Sequence, residues 1–177
     1  MIQNSLAALG FFFLLVSDFL WAKGKRPAAG IRRTGYLAVF CGIGVWAFVP
    51  PSAGAPDILL SAVLIAAAAA SSCLLFWSVF IEIGAERKKH GLGPADVISS
   101  GSYGFCRHPG FWWFAILIFA LGFLKGFSAN FPTILIMTGL DLLLIIFQDS
   151  YTFPKVFRGY DEYRKAVPFL IPRIRKA

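Results

Sequence analysis

Long apolar runs broken by short polar gaps constrain this chain more than any other feature of it. They lie at about 5–22, 34–51, 57–81, 111–124 and 128–148. A bilayer core takes roughly 20 apolar residues per helix. Inside it the backbone finds no water to bond, so such runs must form helices. Of the 177 residues, 58% are hydrophobic and only 15% charged, whereas about a quarter are charged in soluble domains. The expected fold is an all-α integral membrane protein with about five transmembrane helices. A single membrane domain covers 1–177, with N-terminal spans over 1–79 and a more polar core over 80–177. The last two runs, interrupted by Gly122 and Gly126 and with Pro132 expected to mark the next turn, read as a hairpin. No internal repeat or coiled coil interrupts this pattern.

The formal net charge is +8, and the positions of the charges explain it. Lys23, Lys25, Arg26, Arg32 and Arg33 fill the first gap, and the second, Pro50 to Pro56, holds no basic residue. The third carries Arg87, Lys88, Lys89 and Arg107; the tail carries Lys155, Arg158, Arg164, Lys165, Arg173, Arg175 and Lys176. If the runs alternate across the bilayer, every basic residue except Lys125 falls on one side. The positive-inside rule makes that side cytoplasmic, with the N-terminus outside and the C-terminus cytoplasmic. The expected localisation is multi-pass integral membrane, the cytoplasmic membrane in a bacterium. The charge thus reads as topology and attraction to anionic lipid. No basic helix or RNA-binding module is visible, so nucleic acid is not an expected partner. No basic residue precedes the first run, which reads as an uncleaved span. Cys41, Cys73 and Cys106 form no C-x-x-C pair, so neither a disulfide framework nor a metal site is indicated. They read as small buried side chains.

Chemistry is expected in the stretch Gly101-Ser102-Tyr103-Gly104-Phe105-Cys106-Arg107-His108-Pro109-Gly110-Phe111. A polar, glycine-broken segment beside a bilayer must face protein, water or a ligand. The third run continues past the lipid, since Glu82, Glu86 and Lys89 share a helical face and can pair, before Gly91 and Gly93-Pro94 end it. The small residues Ala66 to Ala70 are expected to let a neighbouring helix approach closely. On the last run Asp141, Gln148 and Asp149 also share a face. An Asp in an apolar run costs a few kcal/mol on insertion scales, so it should face protein or a cavity. Asp141 reads as the partner of a neighbouring Arg, Ser or Thr, Asp149 as a wall of a ligand pocket, and Asp18 as paired or interfacial. In the tail, Tyr160, Tyr163 and Val167 form one stripe of a short amphipathic helix on the cytoplasmic side. The hairpin brings loop and tail to one face, making a pocket open to cytosol for a soluble cofactor and to the bilayer for a lipid.

These residues resemble the isoprenylcysteine carboxyl methyltransferase and phospholipid methyltransferase superfamily of integral membrane enzymes. Its members carry a G-P-Y-x-Y-x-R-H-P-x-Y-x-G loop, an apolar hairpin, a Glu-Glu pair and a F-G-x-x-Y-x-x-Y-x-x-x-V-P tail. Here Gly101, Tyr103, Phe105, Arg107, His108, Pro109 and Phe111 match the loop; Tyr160, Tyr163, Val167 and Pro168 match the tail, with Phe157 about one residue closer to Tyr160 than in the motif. The likeness covers about residues 80–172. Ser102 stands for the usual Pro, Phe105 and Phe111 for Tyr, Trp113 for a common Gly, and Asp149-Ser150 for the Glu-Glu pair.

The resemblance implies S-adenosyl-L-methionine as methyl donor and a lipid-like, lipophilic or prenylated acceptor reached from the bilayer. It implies a cofactor set of Gly101, Tyr103, Arg107, His108, Pro109, Asp149, Tyr160 and Tyr163. The donor's carboxylate suits the Tyr103 to His108 loop, and its ammonium or ribose suits Asp149. Phe111, Trp112, Tyr160 and Tyr163 supply aromatic surface for the sulfonium. Arg164 and Arg107 are the expected catalytic cations, with Arg158 an alternative to Arg164 for orienting an acceptor carboxylate. An acceptor that must lose a proton would turn to His108. Two rivals stand beside this reading. A non-catalytic relative would bind lipid or a partner without transfer. An NADPH-dependent membrane reductase would move labelled hydride instead of labelled methyl.

Overall fold

The computed structural model describes residues 2–25, 28–52, 54 and 56–171. The charges Arg26, Arg173, Arg175 and Lys176 and the tail residue Pro172 lie outside the described residues. Among those described, the regular secondary structure is all helical, apart from one isolated backbone bridge between Asp96 and Arg158. The order is α1 (Ile2–Ala22), α2 (Ala28–Phe48), a long α3 (Ile58–His90), a 3-10 turn (Gly101–Gly104), α4 (Pro109–Leu124), a long α5 (Phe127–Val156) and a short α6 (Tyr160–Ala166).

Among the described residues, three helices, α1, α3 and α5, are long and apolar enough to cross a membrane. The other two apolar helices fall short for different reasons. The 21 residues of α2 include Arg32 and Arg33 near its start. The 16 residues of α4 reach about 24 Å at the α-helical rise, less than a bilayer core of roughly 30 Å.

The helix ends follow local chemistry. Asp57 caps α3, its carboxylate accepting from the Leu60 N–H at 2.8 Å and satisfying an otherwise free donor. Gly91, at φ +64°, closes α3 in the left-handed conformation, as expected of a helix C-terminus. Lys89 lies 3.9 Å from Glu86, but Glu82 turns away from this face to the loop. The α4–α5 turn is made by Lys125 and Gly126. Pro132, expected at the turn, lies inside α5. Its ring frees only the carbonyl one turn back, that of exposed Ser128 near the helix start. Asn130 pins the turn, donating to the Lys125 and Gly126 carbonyls at 2.9 and 3.0 Å and accepting from the Trp46 indole at 2.9 Å. Lys125, the exception in the charge pattern, has a local task. Its ammonium donates to the carbonyls of Ala47, at 2.6 Å, and Val49, at the C-terminal end of α2, where a cation is favoured.

The core is built from all five long helices, around Phe11, Leu14, Val39, Trp46, Leu75, Phe114, Ile118, Ile134 and Met137. The closest helix approach is between α1 and α2. A Cβ on Gly10 would meet the Val39 nitrogen at 2.7 Å and the Gly35 carbonyl oxygen at 2.8 Å. The expectation that Ala66 to Ala70 let a neighbouring helix approach is met in part: Ala68 packs against the core, whereas Ala66, Ala69 and Ala70 are exposed. Most of α3 is exposed apolar surface, including Ile58, Leu59, Val63 and Ile65. That suits a helix whose outer face meets hydrocarbon, and alanines there need no protein neighbour. Cys41 and Cys73 are likewise exposed, and only Cys106 is buried.

Gly10→Ala is expected to lower stability by about 1–3 kcal/mol, the usual cost of overpacking, because backbone atoms on α2 cannot rotate away. Gly44→Ala, where a Cβ meets nothing within 4 Å, is expected to be neutral. Thermal unfolding of the two variants in detergent checks this.

Candidate functional site

Two carboxylates, each in a π-helical turn, assemble the loop end of the bundle. Such turns re-aim side chains within a helix and recur at functional sites. In α3 the π turn is Trp77–Glu82; in α5 it is Gln148–Thr152. Glu82 accepts from the Ser102 N–H and the Ser102 hydroxyl, both at 2.5 Å. Gly101 precedes this contact at φ +61°, where a Cβ would overlap the Glu82 carboxylate. Tyr103 then donates to the Ser78 carbonyl at 3.0 Å.

Asp149 gathers the rest. Its carboxylate accepts from the Tyr160 hydroxyl at 2.7 Å. It lies 3.0 Å from Arg107 Nε, 3.5 Å from His108 Nε2 and 3.6 Å from Arg164 Nε. The tail closes over the loop through further bonds. Tyr163 donates to the Tyr103 carbonyl at 2.7 Å. The Arg107 N–H donates to the Pro168 carbonyl at 3.0 Å, and its guanidinium to the Arg164 carbonyl at 3.1 Å. His108 stacks on Phe153, ring centroids 5.8 Å apart, with Phe169 edge-on at 5.1 Å.

Behind this closure lies a cavity of about 610 Å³, within the range of small-molecule sites. Of the expected cofactor residues, Tyr103, Arg107, His108, Pro109, Tyr160 and Tyr163 line it, as does Phe111. The others do not. Gly101 is spent on the turn against Glu82. Asp149, surrounded by four groups, holds the wall from behind and is no part of the lining. Arg164, its side chain 40% exposed, reaches Asp149 from outside. Exposed Arg158 gives its backbone N–H to the Ala95 carbonyl at 2.7 Å. Trp112, also exposed, donates its indole N–H to the Leu170 carbonyl at 2.9 Å. Trp113, at the position of the superfamily's common Gly, packs against the main core.

The cavity also takes residues that the spacing arguments passed over. Arg32 and Arg87 line it, although both read as topology charges. The signal was in their helical faces: Arg32, Tyr36 and Phe40 recur at four-residue steps, as do Val79, Ile83 and Arg87. Arg32 bonds Asp18 at 3.2 Å and lies over the Trp21 ring at 4.3 Å. Gln148 donates to the other Asp18 oxygen at 2.7 Å, so Asp18 is paired as expected. Asp141 is not. It lines the cavity, and among the described residues no Arg, Ser or Thr bonds it.

Electrostatics follow burial. Burial holds His108 below the usual imidazole value of 6.5, opposed in part by Asp149, so the ring is neutral at pH 7. Burial raises the Cys106 thiol, which removes it as a nucleophile. Burial also raises Tyr103, Tyr160 and Tyr163, so all three stay protonated donors. Arg107 Nε and His108 Nε2 are buried without a hydrogen-bond partner; Arg107 is near Asp149, but its N–H is not aligned with the carboxylate. No protein-family model, curated protein or solved structure matches this chain.

Asp149→Ala leaves the Arg107 charge uncompensated and is expected to cost about 3–5 kcal/mol, as for a broken buried pair; a chemical or thermal melt reads this. The His108 value gives a pH test with a definite sign. The unfolded chain takes up a proton near pH 6.5 that the folded chain refuses, so the unfolded state binds more protons just below that pH. The stability tied to His108 is present above pH 6.5 and lost as pH falls below it. Melting temperature is expected to drop more steeply between pH 7 and 5.5 in the wild type than in His108→Gln.

Proposed function

We propose that this chain is a membrane-embedded S-adenosyl-L-methionine-dependent methyltransferase acting on a lipid-like or prenylated acceptor. In this reading α2 and α4 join α1, α3 and α5 as five spans, with the N-terminus outside, and α6 is an amphipathic helix at the cytoplasmic face. One observation carries the reading. Arg107-His108 and Tyr160/Tyr163, remote in sequence, wall a single cavity of about 610 Å³ among basic helix ends.

The residues present fit such a cofactor. Arg107 brings a cation to the cavity wall, its Nε beside Asp149 without an aligned hydrogen bond, and Tyr103, Phe111, Tyr160 and Tyr163 line the same space. Arg107 and the loop would hold the cofactor's carboxylate, and the aromatic faces its cationic and heterocyclic parts. When bound, the cofactor supplies an electrophilic methyl group. The chain itself orients, since positioning carries much of the rate in such a transfer. Tyr160 and Tyr163, 3% and 6% exposed, exclude water from the tail side. Neutral His108 turns Nε2 toward Asp149 at 3.5 Å, so its N–H helps to hold that carboxylate in the wall. Arg107 remains the cation best placed to touch ligand; Arg164 acts through Asp149 as a positioning residue.

The non-catalytic alternative draws on one specific observation: the single carboxylate at the Glu-Glu position is tied into the wall and does not reach the cavity. Two measurements separate the readings. Detergent-purified protein is expected to bind adenosylhomocysteine, with His108→Ala weakening it by about tenfold or more. Labelled methyl is expected to pass from donor into lipid of a native membrane extract. Binding without transfer favours the non-catalytic relative; absence of both, with labelled hydride moved from NADPH, favours the reductase.

A further inference from the structure

The cavity changes character with depth. Its mouth is cationic, with Arg32, Arg87 and Arg107. Seven residues along α5 from Gln148, about 10 Å at the helical rise, the lining is apolar except for Asp141 and Tyr36. Phe11, Phe40, Phe80 and Phe114 belong to this lining, and the Tyr36 and Phe80 rings meet edge to face at 5.4 Å. The neighbouring polar groups that might have paired with Asp141 are already committed, since Arg32 and Gln148 both go to Asp18. Asp141 is left as a carboxyl group on the wall of a cavity that aromatic side chains also line, with no hydrogen-bond or ion-pair partner among the described residues.

The geometry points to a binding subsite at Asp141 for the ammonium group of a lipophilic amine. A carboxylate among aromatic faces is the chemistry that recognises an organic cation, one part by charge and the other by the ring quadrupoles. A carboxylate-bearing ligand is repelled at the same place, so Asp141 is a specificity-determining residue for the ligand. The apolar part of that ligand also has a place. A second, almost wholly apolar groove of about 490 Å³ shares Phe40 and Leu75 with the cavity and runs along α2, α3 and α4 toward Leu121 and Leu124. The inference rests on the reading of the cavity as a ligand site, but it does not need a methyl group to move.

The probes are 4-phenylbutylamine and its near-isostere 4-phenylbutyrate, titrated calorimetrically into the full chain in non-ionic detergent with no donor present. Wild type is expected to prefer the amine by about tenfold or more. Asp141→Asn, which keeps the shape, is expected to lose that preference, and Asp141→Glu to keep it. Both variants are expected to bind adenosylhomocysteine as wild type does. Equal binding of amine and carboxylate by wild type overturns the proposal and needs no variant. Retained preference in Asp141→Asn also overturns it. So does a folded Asp141→Asn that loses adenosylhomocysteine affinity, because the carboxylate then belongs to the donor. Failure of wild type to bind adenosylhomocysteine sinks the methyltransferase reading alone, since amine binding is measured without it.

Discussion

One buried negative charge, on Asp149, joins the parts of this molecule that the sequence keeps far apart. It belongs to α5, and it draws in Arg107 and His108 from the loop and Tyr160 and Arg164 from the tail. Taking a carboxylate out of water is costly, and only a nearly complete ring of cations and donors offsets that cost. The ring in turn gives α6 a reason to exist. Seven residues are too few to hold a helix in isolation. Tyr160 and Tyr163 anchor these seven through bonds to Asp149 and to the Tyr103 carbonyl.

Glu82 plays the matching part on the other side of the loop. It fixes Ser102 where Asp149 fixes Arg107, so the segment between is held at both ends. That holds the lining side chains of the loop in fixed positions around the cavity. The polar groups then divide. Guanidiniums surround the mouth and a solitary carboxylate sits deep, so a molecule with both a negative and a positive group would have a preferred direction of approach.

Much of the scaffold was legible. The apolar runs named the helices, Gly91 named the end of α3, and the last two runs did bring the loop to the tail. Asp18 paired as its position required. The misses share a physical cause. Periodicity states which residues share a face of a regular helix, but the two π turns break the regular period just where Glu82 and Asp149 sit. Glu82 therefore reads as a partner for Lys89 and instead serves the loop; Asp149 reads as pocket wall and instead lies behind it. Trp112 and Trp113 are adjacent and equally aromatic, and only packing decides that one caps a carbonyl while the other enters the core. Arg32 and Arg87 were hidden by a sound argument about topology, which accounts for their charge but not their direction. Pro132 misleads because a proline's cost depends on which carbonyl it orphans.

The π turns also bear on how such a chain tolerates insertion and deletion. Each accommodates extra backbone within a helix that runs on past it. Trimming a residue from the ordinary α-helical winding ahead of either turn would swing everything beyond by about 100°. In α5 that rotation carries Asp149 away from all four of its neighbours at once. A length change of one in these helices is therefore graver than many side-chain replacements in the same stretch, and relatives of this chain should keep the count between Asp141 and Tyr160 even where they change the letters.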